Sequence, residues 1–305
     1  MAAWLRQEGN EVTEFSGDPG MFLIGYDVVA CSVIFSWHAP IAAEIAARLK
    51  GVSEMWCGGP GMFALEKWWK ETTGLDRHSG LDSRFDRQRG KFRMTFASRG
   101  CPVGCAFCIV PKLEGAKFTL DWDFEPAPIL GDNNLSALPV VFQEHIIARY
   151  QASGVPLLDA NSGFEPKTFD QGTFDRWSTI LRGPWRFAFD EIGEAAEVEA
   201  MAKILHDVTG RKKRVYVLIG LEPFESCLER AQKVIEWGCE PFVQVFRPLT
   251  WLEDNKDPEP RFDWRSAREL RDFQRYFNSP QIWRTTPLAE YRPRLGEPPP
   301  FRRAA

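Results

Sequence analysis

A chain of 305 residues, 44% hydrophobic and 26% charged, is long enough for one large domain or one plus a partial second, and has the make-up of a soluble globular protein. Its net charge of −4 and pI near 5.7 exclude a global electrostatic footprint for nucleic acid, and no apolar run approaches the ~20 residues of a membrane span. The opening MAAWLRQEGNEV brings charge in too early for a secretory signal, so a cytoplasmic location is expected, where seven cysteines read as ligands or core residues rather than disulfides.

In chain order, residues 27–36 read as a buried strand, 39–50 as a helix and 54–57 as a short strand ending at Gly58-Gly59, together a small α/β segment. The charged stretch 76–91 reads as a connector. From there the pattern repeats. Strands are expected at 92–98, 127–131, 155–159, 185–189, 214–219 and 241–246, each short, apolar and bounded by polar, Gly or Pro residues. Between and after them, 138–152, 172–182, 194–208, 223–237 and 264–277 carry apolar residues at helical spacing, as in Val198, Met201, Ala202 and Leu205. Strands alternating with helices predict a parallel sheet, and six such units suit a partial (β/α)6 barrel with its chemistry at the C-terminal strand ends. The expected division is an N-terminal α/β segment over 1–90, the barrel over 91–286 and an irregular Pro- and Arg-rich tail over 287–305.

The strongest signal is the loop after the first expected strand, RGCPVGCAFCIVPKLEG at 99–115. Cys101, Cys105 and Cys108 are spaced C-x3-C-x2-C, close enough for three thiolates to converge on one metal centre, with Gly100, Pro102 and Gly104 shaping the backbone. An iron–sulfur cube normally takes four cysteines, so three leave one iron open. A structural zinc site would need a fourth ligand, and Cys31, Cys57, Cys227, Cys239 and the four histidines form no second knuckle.

This spacing resembles the signature of the radical S-adenosylmethionine (SAM) superfamily. The run of β/α units over 92–280 is similar to a group of that superfamily with a truncated cobalamin-binding-type N-terminal segment. The resemblance implies a [4Fe–4S] cluster on Cys101, Cys105 and Cys108, with SAM chelating the open iron and cleaved to methionine and a 5′-deoxyadenosyl radical that abstracts hydrogen from an unassigned substrate. It also implies an external electron donor such as flavodoxin or ferredoxin, and sets Phe107 beside the adenine.

The remaining candidate residues follow the later strands. Asp132, Asn133 and Asn134 stand where the family often has Gly-Gly-Glu contacting the SAM amino group; an Asx turn is the alternative. Asn161 and Ser162 have the character of ribose or carboxylate contacts, or of helix caps, a role Thr168 or Asp170 would serve instead. Arg186 and Asp190 share a face with Ala188 and read as an ion pair near substrate or an outward salt bridge, with Asp190 expected in the pocket. Gly220 would let the backbone approach adenine, or make a plain β-to-α turn. Phe246 stands at an adenine-contacting position of the family, and Arg247 is a candidate for an anionic substrate group.

Cobalamin is not expected: there is no Asp-x-His-x-x-Gly, His38 sits in Trp-His-Ala-Pro, and a first strand is missing. A second cluster of the methylthiotransferase kind would need three further cysteines where only Cys31 and Cys57 occur. The basic stretches 210–214 and 292–305 are open to nucleic acid, but a solvated loop and a frayed end explain them with fewer assumptions. Two other readings of the whole stand beside the enzyme: a non-catalytic iron–sulfur module and a zinc-binding interaction protein.

Overall fold

The protein is represented by a computed structural model describing residues 2–23, 25–78, 94–253, 261–293 and 301. It is a mixed α/β structure with small parallel sheets, and no closed barrel forms among the described residues. The elements begin with α1 (Ala2–Gln7), β1 (Val28–Ser32), α2 (Ala39–Leu49), β2 (Glu54–Gly58) and α3 (Glu66–Thr73). Strands β1 and β2 pair in parallel. Helix α2, starting Ala-Pro with proline in its first turn, buries Ala39, Ala42, Ala43 and Ala46. These pack with Val33, Cys57, Met62, Leu65 and Trp69 into one core. The positive φ that Gly74 adopts stops α3, its N–H returning to Lys70 O at 2.9 Å.

Next come β3 (Met94–Thr95), β4 (Ser98–Arg99), α4 (Val110–Leu113), β5 (Thr119–Leu120) and β6 (Ile129–Leu130). They are followed by α5 (Val140–Ser153), β7 (Asp159–Ala160), α6 (Gln171–Ser178), β8 (Trp185–Ala188) and α7 (Ala195–Ile204). The series closes with β9 (Lys213–Ile219), α8 (Phe224–Glu236), β10 (Glu240–Val245), α9 (Ala267–Phe277) and α10 (Pro280–Trp283). Two three-stranded parallel sheets result, β3-β6-β7 and β8-β9-β10. Across the gap between β7 and β8 runs a single parallel bridge, Leu157 to Leu181. Helices α5 to α8 alternate with the strands as expected. Asp170 caps α6 by accepting from Thr173 N at 2.7 Å, and Ser266 caps α9 by accepting from Glu269 N at 3.1 Å.

The strands differ most from expectation at the start of this series. The expected strand 92–98 is interrupted after Thr95, and Ser98–Arg99 pairs antiparallel with Thr119–Leu120 instead. The cause is a buried carboxylate: Asp132 Oδ1 accepts from Ala97 N at 2.8 Å, a backbone group that a continuous strand would have paired with its neighbour. Strand β9 is the most regular, its alternate residues Val215, Val217 and Ile219 fully buried. Trp185 and Phe187 on β8 and Phe189 just after it are likewise buried, and Phe164, Phe169 and Trp177 complete an aromatic core in edge and tilted contacts.

The chain packs as two compact units. One joins Met1–Gly90 with Gly100–Phe118 and Arg247–Lys256; the other joins Lys91–Arg99, Thr119–Phe246 and Asp257–Ala305. The linear segments read from the sequence are therefore interleaved, and the three-cysteine loop belongs to the first unit. Nor is the tail wholly irregular. Tyr291 and Phe301 are buried, Phe301 against Phe224, Phe273 and Tyr291. Residues 79–91 of the expected connector 76–91, and residues 294–300 and 302–305 of the tail, lie outside the described residues. None of the described helices is long and apolar enough to cross a membrane.

Candidate functional site

The three-cysteine loop is tied at its base. Cys101 N donates to Gly115 O at 3.2 Å and Gly100 N to a Glu114 carboxylate oxygen at 3.1 Å. Gly100 has a φ of +87°, and a Cβ there would lie 2.2 Å from Lys117 O, so only glycine fits this crossing. Between the second and third cysteines the chain makes one turn, Cys108 N donating to Cys105 O at 3.0 Å. Val110 N, opening α4, donates to Cys108 Sγ at 3.4 Å. Cys105 is exposed, and Cys101, Phe107 and Cys108 are half-buried.

Three soft thiols within residues 101–108, a backbone N–H on one sulfur and a glycine-closed base suit the donor chemistry of an iron–sulfur cluster. Among the described residues, no three Cys, His, Asp or Glu side chains, these thiols included, converge on one ion-sized point. The fit is therefore one of donor type and of spacing along the chain.

In the second unit, the other sequence candidates follow the C-terminal ends of parallel strands: Asp132–Asn134 after β6, Asn161 and Ser162 after β7, Asp190 after β8, Gly220 after β9 and Phe246 after β10. Each has its own setting. Asp132 is fully buried, bonded to Ala97 N–H and the Ser98 hydroxyl. Burial pushes its carboxyl up to about 6 against the pull of those donors. It is a structural tie, and the alternative of an ammonium ligand is not what these bonds build. Asn134, also buried, accepts from Ala137 N at 3.2 Å, the turn geometry open to it from the start. Asn133 is half-buried beside it.

Asn161 and Ser162 are exposed, while Asn161 N donates to Leu130 O at 2.9 Å. Gly220 has a φ of +92°, a turn conformation that favours glycine. Phe246 continues the β10 ladder, its N donating to Ile219 O at 2.9 Å, and the Arg261 guanidinium lies 6.0 Å from its ring. Arg247 stacks on the Trp37 ring at 4.5 Å, within the first unit.

Arg186 lies on β8 and Asp190 two residues beyond its end, and they are not each other's partners. Arg186 makes a two-pronged pair with Asp159 on the neighbouring β7, both contacts at 2.8 Å, and also donates to the Tyr216 hydroxyl on β9. Strand alternation gives the face of a residue, whereas the partner is set by which strand lies alongside. Asp190 stays largely enclosed. Burial first, then the nearby Glu194 carboxylate, pushes its acid up to about 7. Glu165, raised by burial and by Glu194, belongs to the same neighbourhood, and Lys167 approaches Glu194 at 3.5 Å.

The residue that sequence reasoning missed is Arg230. It sits on the apolar stripe of α8 between Cys227 and Ala231, with none of its side chain exposed. It donates to Phe189 O at 2.6 Å and Leu218 O at 2.8 Å, and pairs with Glu222 at 2.8 Å. One side chain thereby joins α8 to β8 and β9 beside Asp190. The available signal was a charged residue at the i+3 position of an otherwise apolar face.

Against models of known protein families the chain matches none, and a search of curated proteins gives no significant match.

Proposed function

We propose that the protein is a radical SAM enzyme built on a partial (β/α)6 barrel, with a [4Fe–4S] cluster on Cys101, Cys105 and Cys108. The observation that carries this reading is the C-x3-C-x2-C loop, glycine-closed at its base, inside a chain whose five strands β6 to β10 alternate with helices. The cluster, when bound, supplies the electron that splits SAM into methionine and a 5′-deoxyadenosyl radical able to take hydrogen from a substrate. The chain's own residues do the rest. Cys101, Cys105 and Cys108 would hold the cluster, while Glu114 and Gly115 fix the loop base. Gly220 leaves room for a ring to approach the backbone, with Phe246 next to it in the ladder. Asp190, poised at about 7, can give or take a proton near neutrality. Electrons come from a flavodoxin- or ferredoxin-type donor.

Anaerobic reconstitution with iron and sulfide should give a brown protein that releases 5′-deoxyadenosine from SAM on reduction. Replacing the three cysteines by alanine should abolish both colour and product. Zinc in place of iron, or cleavage that survives those substitutions, overturns the reading.

The engagement of Asp132 by Ala97 and Ser98 favours a second reading, a non-catalytic iron–sulfur module in which SAM chemistry is absent. Calorimetry separates the two: a cluster-loaded protein that binds no SAM supports the module.

A further inference from the structure

Strands β1 and β2 run parallel in a register that sets Cys31 directly opposite Cys57. Opposed residues of a pleated sheet project to the same side. Adjacent strands lie about 4.8 Å apart, inside the Cα separation of roughly 4.4–6.8 Å that a disulfide spans. Both cysteines are free thiols.

The backbone around them is held on each flank. Val33 N donates to Gly58 O at 2.8 Å just beyond the pair, and His78 N donates to Cys57 O at 2.7 Å. Gly59 could not carry a side chain, since a Cβ would lie 2.5 Å from Val33 O. A slip of one residue, which would separate the sulfurs, is thereby blocked.

The two thiols are not equivalent. Cys57 is 1% exposed, within the core formed by Val33, Ala42, Met62 and Trp69, whereas Cys31 is half-buried at the edge of that core. The closeness of the two sulfurs, which the β1–β2 register sets, holds the Cys31 thiol below the usual range, and with burial pushes Cys57 above it. Cys31 ionises first and is the reachable nucleophile; Cys57 is the enclosed partner. Among the described residues no third donor completes a metal site here.

We propose that Cys31 and Cys57 form a reversible dithiol–disulfide couple that exchanges with small-molecule disulfides, independently of the three-cysteine loop. The Cys31 thiolate attacks one sulfur of R–S–S–R and expels RS⁻, giving a mixed disulfide. Cys57 gives up its proton and its sulfur attacks the Cys31 sulfur, releasing the second RS⁻. Two protein thiols are oxidised to one disulfide, one small disulfide is reduced to two thiols, and the two protons end on the released thiolates. The product staples β1 to β2 across α2.

The test uses the full-length protein in buffers of graded oxidised to reduced glutathione, quenched by alkylation, digested with trypsin and mapped by mass. Cleavage at Arg48 and Lys50 puts the two cysteines on separate peptides, 7–48 and 51–67, while the three-cysteine loop leaves on a third, 100–112. The expected result is a linked 7–48/51–67 pair that grows with oxidation and disappears on reduction with dithiothreitol. Cys57→Ser should stall at glutathione on Cys31, and Cys31→Ser should leave Cys57 unmodified, with circular dichroism checking that each variant is folded. Separate alkylated peptides at every ratio, or glutathione on Cys31 of the unaltered protein that Cys57 never displaces, overturns the proposal. Should a variant fail to fold, the map of the unaltered protein decides.

Discussion

Arg230 shows what a single side chain does when it is taken wholly out of water. A guanidinium so enclosed is tolerated only because two carbonyls and the Glu222 carboxylate receive it. Arg230→Met keeps the length and removes the charge, leaving Phe189 O, Leu218 O and Glu222 without their donor. The expected loss is about 3 kcal/mol in urea unfolding. Asp190 beside it carries a pH signature. Its folded acid holds a proton up to about 7, whereas the ordinary value is 3.8, so the folded state binds more protons in between. Stability therefore falls as pH rises through that window, by up to about 1.4 kcal/mol per pH unit from this group. Asp190→Asn should flatten the decline, as read from denaturation midpoints at a series of pH values. The position of Asp190 at a strand end was legible in the sequence because alternation and chain order are local properties. The partner of Arg186 was not, since Asp159 lies on a different strand and the pair exists only once β7 and β8 are neighbours. Arg230 escaped for another reason: helical periodicity identifies a buried face without saying which charge on it is received there.

For the elements, local pattern carried most of the information. The segment 27–57 resolves into β1, α2 and β2 close to where apolar runs and the Ala-Pro start place them, and the helices α5 to α9 follow their apolar spacing. Strand lengths were less legible. The expected 155–159 becomes Asp159–Ala160 in the ladder, with Leu157 making its own bridge to Leu181. Pro156 and Pro128 lack the N–H that would extend the pairing. At this same passage Gly183 passes so close to the preceding strand that a Cβ would lie 1.8 Å from Leu158 O. A backbone atom cannot rotate away. Gly183→Ala should therefore cost about 1–3 kcal/mol, the range of an overpacked core, seen as a lower thermal midpoint.

Across the whole molecule, the units are not consecutive lengths of chain. The first is completed by Gly100–Phe118 and Arg247–Lys256, which bring Trp251 O to the Ser36 hydroxyl at 2.6 Å and Arg247 to Trp37. A fragment of residues 1–90 lacks these pieces and should unfold with a broader, less cooperative transition by circular dichroism than the full chain. Composition and periodicity announced an α/β protein, but they run along the chain in one dimension. Interleaving depends on which distant stretches fold back together, as Ser36 and Trp251 do, and nothing in either stretch alone encodes the other.

Strands β4 and β5 run side by side with Ser98 opposite Leu120 and Arg99 opposite Thr119. Whatever the chain does between them, it departs and returns through adjacent doors. Residues 100–118 can therefore change in length without altering where the β4–β5 pair ends, although the same residues also complete the first unit. A paired exit and entry confines the effect of a change in that loop on β4 and β5 to the two residues at its base.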